Sequence, residues 1–293
     1  MARNNARKVV FPEKACPYAR ELAKRSKAFR LQISSRGETD ADDGYQVDPF
    51  GELEEKTKVP GLTQRFPDRV LVMTSENCFA NCRHCTRRGI LGKKKIVDTD
   101  EALDSCVKYV LRHPKVRDVL LSGGDALVLS DEKVLKFAEA FAKLDQIDIV
   151  RLCTRAPCVN PQRITAKLAT KLSKLKKIWV NTQFNSADEV TSQAIRACNE
   201  FISRGIPVSC QTVLLKGVND TPKKMLALLK ALSAAKIRPY YVFMCDDVAG
   251  IDRFRVPIEK ARQIEAFCAR NIGGLSMPRF VRDIASAKRK EPI

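Results

Sequence analysis

Three cysteines, Cys78, Cys82 and Cys85, stand in the short stretch ENCFANCRHCTRRG (76–89). Thiolates are soft donors suited to zinc and to iron–sulfur clusters. A structural zinc ion takes four closed protein ligands, and a cluster generally wants four cysteines. Here the set stops at three. His84 adjoins Cys85, and adjacent side chains seldom reach one tetrahedral ion together. No second paired-cysteine motif completes a zinc ribbon. The open coordination position points to a ligand that is not protein.

Other residues with chemical capacity lie further along the chain. SGGD (Ser122, Gly123, Gly124, Asp125) carries glycines that let a backbone approach a ligand closely, although a Gly-Gly pair alone reads as a turn. Arg65 and Arg69 lie four apart and by themselves read as surface charges. Arg87 and Arg88 follow the last cysteine, and Arg88 reads as a loop charge. Asp246 in CDD and Asp283 in VRD read alone as capping residues. The eight remaining cysteines are scattered, mostly among apolar neighbours, and read as buried thiols that behave as small hydrophobes.

These residues need a frame. From about residue 69, short β-branched runs alternate with amphipathic helical stretches, at 69–75, 116–124, 147–154, 177–184, 206–215 and 237–245. Helical segments lie between them, such as 131–144 and 187–205, the latter ending at Gly205 as a C′ residue. Successive strand–helix units imply parallel strands joined by right-handed crossovers. Six units are too few for an eight-stranded barrel, so the expected fold is α/β, a partial (β/α)6 barrel. Chemistry in such folds gathers at the C-terminal strand ends. The cysteine loop follows strand one, SGGD ends strand two and CDD ends strand six. The expected organisation is an N-terminal extension over 1–68, helical around 18–31 and then loop, a barrel over 69–275, and a tail over 276–293.

The chain has 293 residues, 44% hydrophobic and 30% charged, ordinary for a soluble globular protein. No apolar run approaches the ~18 residues that span a bilayer. The N-terminus lacks the apolar core of a signal peptide, so a cytoplasmic protein without membrane partners is expected. Eleven cysteines in so long a chain, with no sign of secretion, do not indicate disulfides. The net charge of +19 is spread along the whole chain, which favours a solvated basic surface over a nucleic-acid site. An acidic stretch, GETDADDGYQVDPFGELEE, interrupts the basic clusters near the N-terminus.

The spacing Cys-x3-Cys-x2-Cys after the first strand of a βα repeat resembles the radical S-adenosylmethionine (radical SAM) superfamily. The resemblance implies a [4Fe–4S] cluster held by Cys78, Cys82 and Cys85, with SAM on the open iron. It also implies SAM contacts from Ser122, Gly123, Gly124 and Asp125. The segments VPGLTQRFPDRVLVMTSENCFANCRHCTRRG, VRDVLLSGGDALVLSD, TRAPCVNPQRIT, QTVLLKGVND and RPYYVFMCDDVAGIDRFRVP are similar to the lysine 2,3-aminomutase family over roughly residues 47–293. That family moves an α-amino group to the β-carbon, with SAM as radical initiator and pyridoxal phosphate (PLP) as amine carrier.

Carried over residue by residue, the resemblance implies that Arg65 and Arg69 hold the PLP phosphate and that Arg87 pairs with the substrate carboxylate. Asp246 and Asp283 would bind the distal ammonium of lysine, which a glutamate side chain could not satisfy. Gln183 stands where the family has a histidine near SAM, and Gln211 is a further cofactor contact. A gapless count from Asp283 puts Lys290 at the catalytic Schiff-base position, and Lys-Glu-Pro keeps the Lys-x-Pro pattern. The four glycines usual before it are replaced by Ser286, Ala287, Lys288 and Arg289, which makes Lys288 a rival. Structural zinc is not expected, since the family's C-terminal cysteine segment is not in this sequence. The ending resembles shorter members that make β-lysine for modifying elongation factor P.

The expected partners are a small amino acid and a one-electron reductant such as flavodoxin or ferredoxin, with homo-oligomerisation left open. Two alternatives stand beside this reading. One is a PLP-free radical SAM enzyme modifying RNA or a protein. The other is a degenerate homologue that keeps the cluster without the reaction.

Overall fold

The computed structural model describes residues 11–38, 44–54, 56–284, 287 and 289–293. Ser286, Lys288 and the first ten residues of the expected extension lie outside the described residues. Two helices come first, α1 (Pro17–Arg25) and α2 (Lys27–Ile33). A single helix is expected here. Ser26 divides it: its backbone is extended, and its hydroxyl accepts from the Phe29 N–H at 3.1 Å to start α2.

An antiparallel pair follows, β1 (Leu62–Phe66) and β2 (Arg69–Ser75). Helices and strands then alternate: α3 (Asp100–Arg112), β3 (Asp118–Gly123), α4 (Asp131–Ala142), β4 (Ile149–Cys153), α5 (Ala156–Val159) and α6 (Ala166–Ser173). The chain continues through β5 (Ile178–Gln183), α7 (Ser192–Ile202), β6 (Val208–Leu214), α8 (Pro222–Ala234), β7 (Arg238–Met244), α9 (Ile258–Asn271), β8 (Arg279–Arg282) and β9 (Glu291–Pro292). Five of the crossover helices start on a Ser or Thr that accepts a first-turn N–H: Thr99, Ser130, Thr165, Thr191 and Thr221. Gly205 has the expected left-handed backbone, φ +76°, three residues after α7.

Among the described residues, all nine strands form one sheet in chain order, with β2 to β8 parallel and β9 antiparallel to β8. The expected α/β partial barrel is present, and its six anticipated strands are β2 to β7. The sheet extends past both anticipated edges. Residues 62–66 are a strand rather than part of a loop extension, and the tail contributes β8 and β9. Both expected domain boundaries therefore cut through continuous sheet.

Alternation along the strands sorts the two faces. In β5, Ile178, Val180 and Thr182 are buried, and the aliphatic pair joins the core beneath the helices. Asn181, on the other face, donates to the Tyr240 hydroxyl at 3.1 Å, which in turn reaches Gln211 Oε1 at 3.1 Å. This face thus carries a chain of hydrogen-bonded polar side chains. Among the described residues no helix is long and apolar enough to cross a membrane.

Candidate active site

The cysteine loop begins where β2 ends and is spliced to the end of β3. Gly124 N–H donates to Ser75 O at 2.5 Å, and Asp125 N–H donates to Asn77 O at 2.8 Å. A Cβ on Gly124 would lie 2.2 Å from Asn77 O. Gly123 has φ +113°, and a Cβ there would lie 2.3 Å from Ser75 O. The sequence reading gives these glycines the task of admitting a ligand; the close approach the structure shows is to the cysteine loop's own backbone. Gly124→Ala is expected to push the loop away, destabilising the fold by about 1–3 kcal/mol through overpacking. A lower urea midpoint together with reduced iron uptake would register it; an unchanged midpoint would refute the splice.

Asp125 is an organising residue in this arrangement. Its buried carboxylate accepts from Leu127 N–H at 2.9 Å, the Thr154 hydroxyl at 2.6 Å and Arg155 N–H at 2.7 Å. Both oxygens are engaged by the ends of β3 and β4, which fixes the strand mouths around the loop. Ser122 sits beside β2, its carbonyl accepting from the Thr74 hydroxyl at 3.1 Å.

Burial, reinforced by neighbouring acidic groups, raises the Cys78 thiol well above its ordinary range. Burial and the nearby Cys82 push the Cys85 thiol up to about 11. Such thiols ionise when a metal centre draws off the proton. The buried Arg155 donates to Cys82 Sγ at 2.8 Å and is anchored behind by Glu189 at 3.0 Å and Gln32 at 2.5 Å. Among the described residues no three His, Cys, Asp or Glu side chains converge on a single-ion site. Cys78, Cys82 and Cys85 share one loop, near enough for their charges to interact, and such a set of soft donors fits a sulfur-bound metal centre. His84 lies in the same loop and is held neutral by burial and by Arg155. Its Nε2 lies 3.1 Å from the Gln183 amide nitrogen and 3.3 Å from that of Asn185, while its Nδ1 has no partner among the described residues. An unmatched buried nitrogen beside the thiols fits a site that a ligand completes. Gln183, the last residue of β5, is the register partner of Gln211 in the middle of β6.

A second cluster joins the two edges of the sheet. Asp283, just after β8, accepts from Arg65 of β1 at 3.0 and 3.3 Å and also from Lys290 Nζ. The β8–β9 pairing, Val281 with Pro292 and Arg282 with Glu291, turns the tail back and brings Lys290 beside Asp283. Phe66 is the floor of this cluster: Arg65, Arg69 and Lys290 lie 5.6, 4.5 and 5.2 Å from its ring centroid. Arg69 also pairs with Asp68 at 2.9 Å. Three cations around one aromatic ring form a fitting seat for a phosphate-bearing cofactor, and Lys290 is the amine within it. Burial lowers the Lys290 ammonium from its usual range against the opposing pull of Asp283. This favours the free amine that condensation with a carbonyl requires. Burial and the charge of Asp283 push the Asp246 carboxyl up to about 7.

Arg87 is not a lone guanidinium. Its Nε and Nη2 donate to Glu52 at 2.6 and 2.8 Å, and both side chains are largely buried. Arg88 is 6% exposed and donates to the carbonyls of Arg83 and Gly250, with Glu38 alongside; it is structural, not a loose loop charge. Glu38, half-buried, and Glu52, buried, come from the acidic stretch and serve as counter-ions to the cysteine loop. Sequence reasoning missed Glu52, Phe66 and Arg155. Phe66 carried a signal, lying between Arg65 and Arg69, whereas the Glu52–Arg87 pairing bridges residues too distant in sequence to be read from spacing.

Residues 72–229 match the Radical SAM superfamily. The chain is 40% identical over 256 residues to L-lysine 2,3-aminomutase of Fusobacterium nucleatum, covering 87% of this chain and 59% of that one. It is 39% identical over 263 residues to a chain of Aquifex aeolicus named "Putative L-lysine 2,3-aminomutase", covering 89% and 68%. Glutamate 2,3-aminomutase of Clostridioides difficile is 30% identical over 253 residues, covering 86% and 60%. The chain thus spans 59–60% of the length of the first two curated lysine relatives it matches. In fold it is similar to Streptococcus suis SuiB bound to S-adenosylmethionine, with TM-score 0.54 and 15% identity, over 75% of this chain and 51% of that one. A radical SAM methyltransferase from Sphaerobacter thermophilus aligns with TM-score 0.53 and 14% identity over 75% and 68%.

Proposed function

The chain belongs to the radical SAM superfamily and, within it, to the lysine 2,3-aminomutase family, and from that membership we propose that it interconverts L-lysine, or a similar basic amino acid, with its β-amino isomer. When bound, a [4Fe–4S] cluster with SAM supplies a carbon-centred radical initiator, and PLP supplies an amine carrier. Cys78, Cys82 and Cys85 would hold the cluster; Arg65, Arg69 and Lys290 would hold PLP. The protein's own contribution is to bind and orient the substrate and to exclude water.

One observation carries the choice of substrate. Asp283 already accepts a primary alkylammonium, that of Lys290, with the Asp246 carboxyl close enough to feel both charges. A lysine side chain ends in the same group, so the carboxyl pair would receive its ammonium once Lys290 is engaged by PLP. A glutamate side chain would instead meet two carboxyls and be repelled. Arg87, on the cysteine-loop side of the chamber, would take the α-carboxylate. The polar inner face, with Asn181, Tyr240 and Gln211, would line the space between.

Asp246→Asn tests this reading directly. A charged hydrogen bond is worth about 1.5–3 kcal/mol, so lysine affinity is expected to fall roughly ten- to a hundredfold while SAM affinity holds. Equal binding of lysine and glutamate by the unaltered protein would contradict it.

The raised Asp246 carboxyl adds a pH signature. Below about 7 the group is protonated, and binding an ammonium against it must first expel that proton. Lysine affinity should therefore fall as pH drops from 8 to 6, approaching about tenfold per unit on the acid side. Asp246→Asn should flatten the profile. A slope identical in the variant would assign the dependence to another group.

A further inference from the structure

We propose that Glu52 is a positioning residue for Arg87: it grips one edge of the guanidinium so that the other edge is presented to the substrate's α-carboxylate. This rests on the substrate reading above and deepens it.

A guanidinium offers five N–H donors in fixed fork geometry. Glu52 occupies the fork formed by Nε and Nη2, at 2.6 and 2.8 Å. The fork formed by Nη1 and Nη2 is left, and no described residue is hydrogen-bonded to Nη1. An arginine on a loop held by one carboxylate in this way points its second fork in a single direction. Without that grip it would sample many rotamers and lose entropy each time it bound a substrate.

Glu52 is fixed, which separates a positioning role from a displaceable occupant of the carboxylate site. The residue is 5% exposed and opens a 3-10 turn, Glu52–Glu54. Asp48 caps that turn, its oxygens accepting from Glu52 N–H at 3.0 Å and Leu53 N–H at 2.8 Å. Lys94 Nζ donates to the Glu52 carbonyl at 2.6 Å. On one side of the turn, Val47 packs so tightly on the cysteine loop that a Cβ on Gly89 would lie 2.2 Å from its Cγ1. Phe50 lies under the Arg65 guanidinium, 4.2 Å from ring centroid to Cζ. The segment from Val47 to Glu52 therefore ties the carboxylate end of the chamber to the phosphate end. Burial works against the Glu52 charge, but Arg87, Lys94 and Arg65 outweigh it and keep the group ionised.

The test compares L-lysine with 1,5-diaminopentane, which is lysine without its carboxylate, on reconstituted protein loaded with cluster, SAM and PLP. Binding is followed by the change in PLP absorbance, alongside KM and kcat. Glu52→Gln is expected to weaken lysine about tenfold and to raise KM by a similar factor. Diaminopentane affinity, iron content and kcat should change little. Parallel loss of both ligands together with iron would assign Glu52 to the fold alone and overturn the inference. Tighter lysine binding in Glu52→Gln would also overturn it, by making Glu52 a competitor of the substrate. If the unaltered protein does not prefer lysine to diaminopentane, the substrate reading itself fails first. That outcome is distinct from a preference that Glu52→Gln leaves intact.

Discussion

Lys290→Ala is expected to abolish covalent capture of PLP. Borohydride treatment of the unaltered protein with PLP should label one peptide, at Lys290, and the variant should show only background. Turnover with lysine should fall by on the order of 10³-fold or more, as it does when a covalent group is removed. The expectation rests on three features of the site. The β8–β9 pairing turns Lys290 in to Asp283 even though the glycines usual in the family are missing. Its ammonium is lowered by burial, which raises the free-amine fraction at neutral pH. Arg65 and Arg69 share the Phe66 ring with it, so the two guanidinium groups would hold a phosphate beside this amine. Arg65→Ala should weaken labelling more than Arg69→Ala, because Arg65 also braces Asp283, whereas Arg69 is shared with Asp68. Label appearing on Lys288 would move the attachment point by two residues and leave the mechanism in place.

Replacing any one of Cys78, Cys82 or Cys85 with Ala is expected to abolish the cluster. Anaerobically reconstituted protein should give a reduced EPR spectrum that changes when SAM is added; each variant should give neither signal nor SAM response. The loss should exceed the roughly 10- to 100-fold that removing a ligand's hydrogen-bonding partner costs a metal site. Burial raises the Cys78 and Cys85 thiols, so a cluster would have to draw off their protons, and each missing thiolate would remove one of the three protein donors. Stoichiometric zinc bound by the same three thiols, with no iron uptake, would contradict the assignment.

What could be read from the sequence and what could not divide along physical lines. The strands β2 to β7 and the cysteine loop were legible because period and spacing are local. Asp283 and Lys290 were legible as a pair because a gapless count connects them, and a short hairpin turns that count into contact. The added strands β1, β8 and β9 were not, being short and at the edges, where a few residues carry little periodic signal. For the glycines, a need for close approach is visible in sequence, but the neighbour approached, here the backbone of Ser75 and Asn77, is not. Charge was the least legible feature. The acidic stretch reads only as an interruption of the basic clusters, yet its Glu52 is buried and its Glu38 half-buried against arginines of the cysteine loop. Ion pairing across long separations depends on the fold, which composition does not carry.

The most direct test is conversion of the substrate itself. Reconstituted, reduced protein supplied with SAM and PLP is incubated anaerobically with L-lysine, and the mixture is examined for the β-amino isomer and for deoxyadenosine. The account predicts that the isomer forms, that lysine stimulates SAM cleavage, and that both are lost in Lys290→Ala and in the cysteine variants. SAM cleavage that lysine does not stimulate, with no isomer formed, would contradict it and would favour a radical SAM enzyme that works without PLP on another substrate.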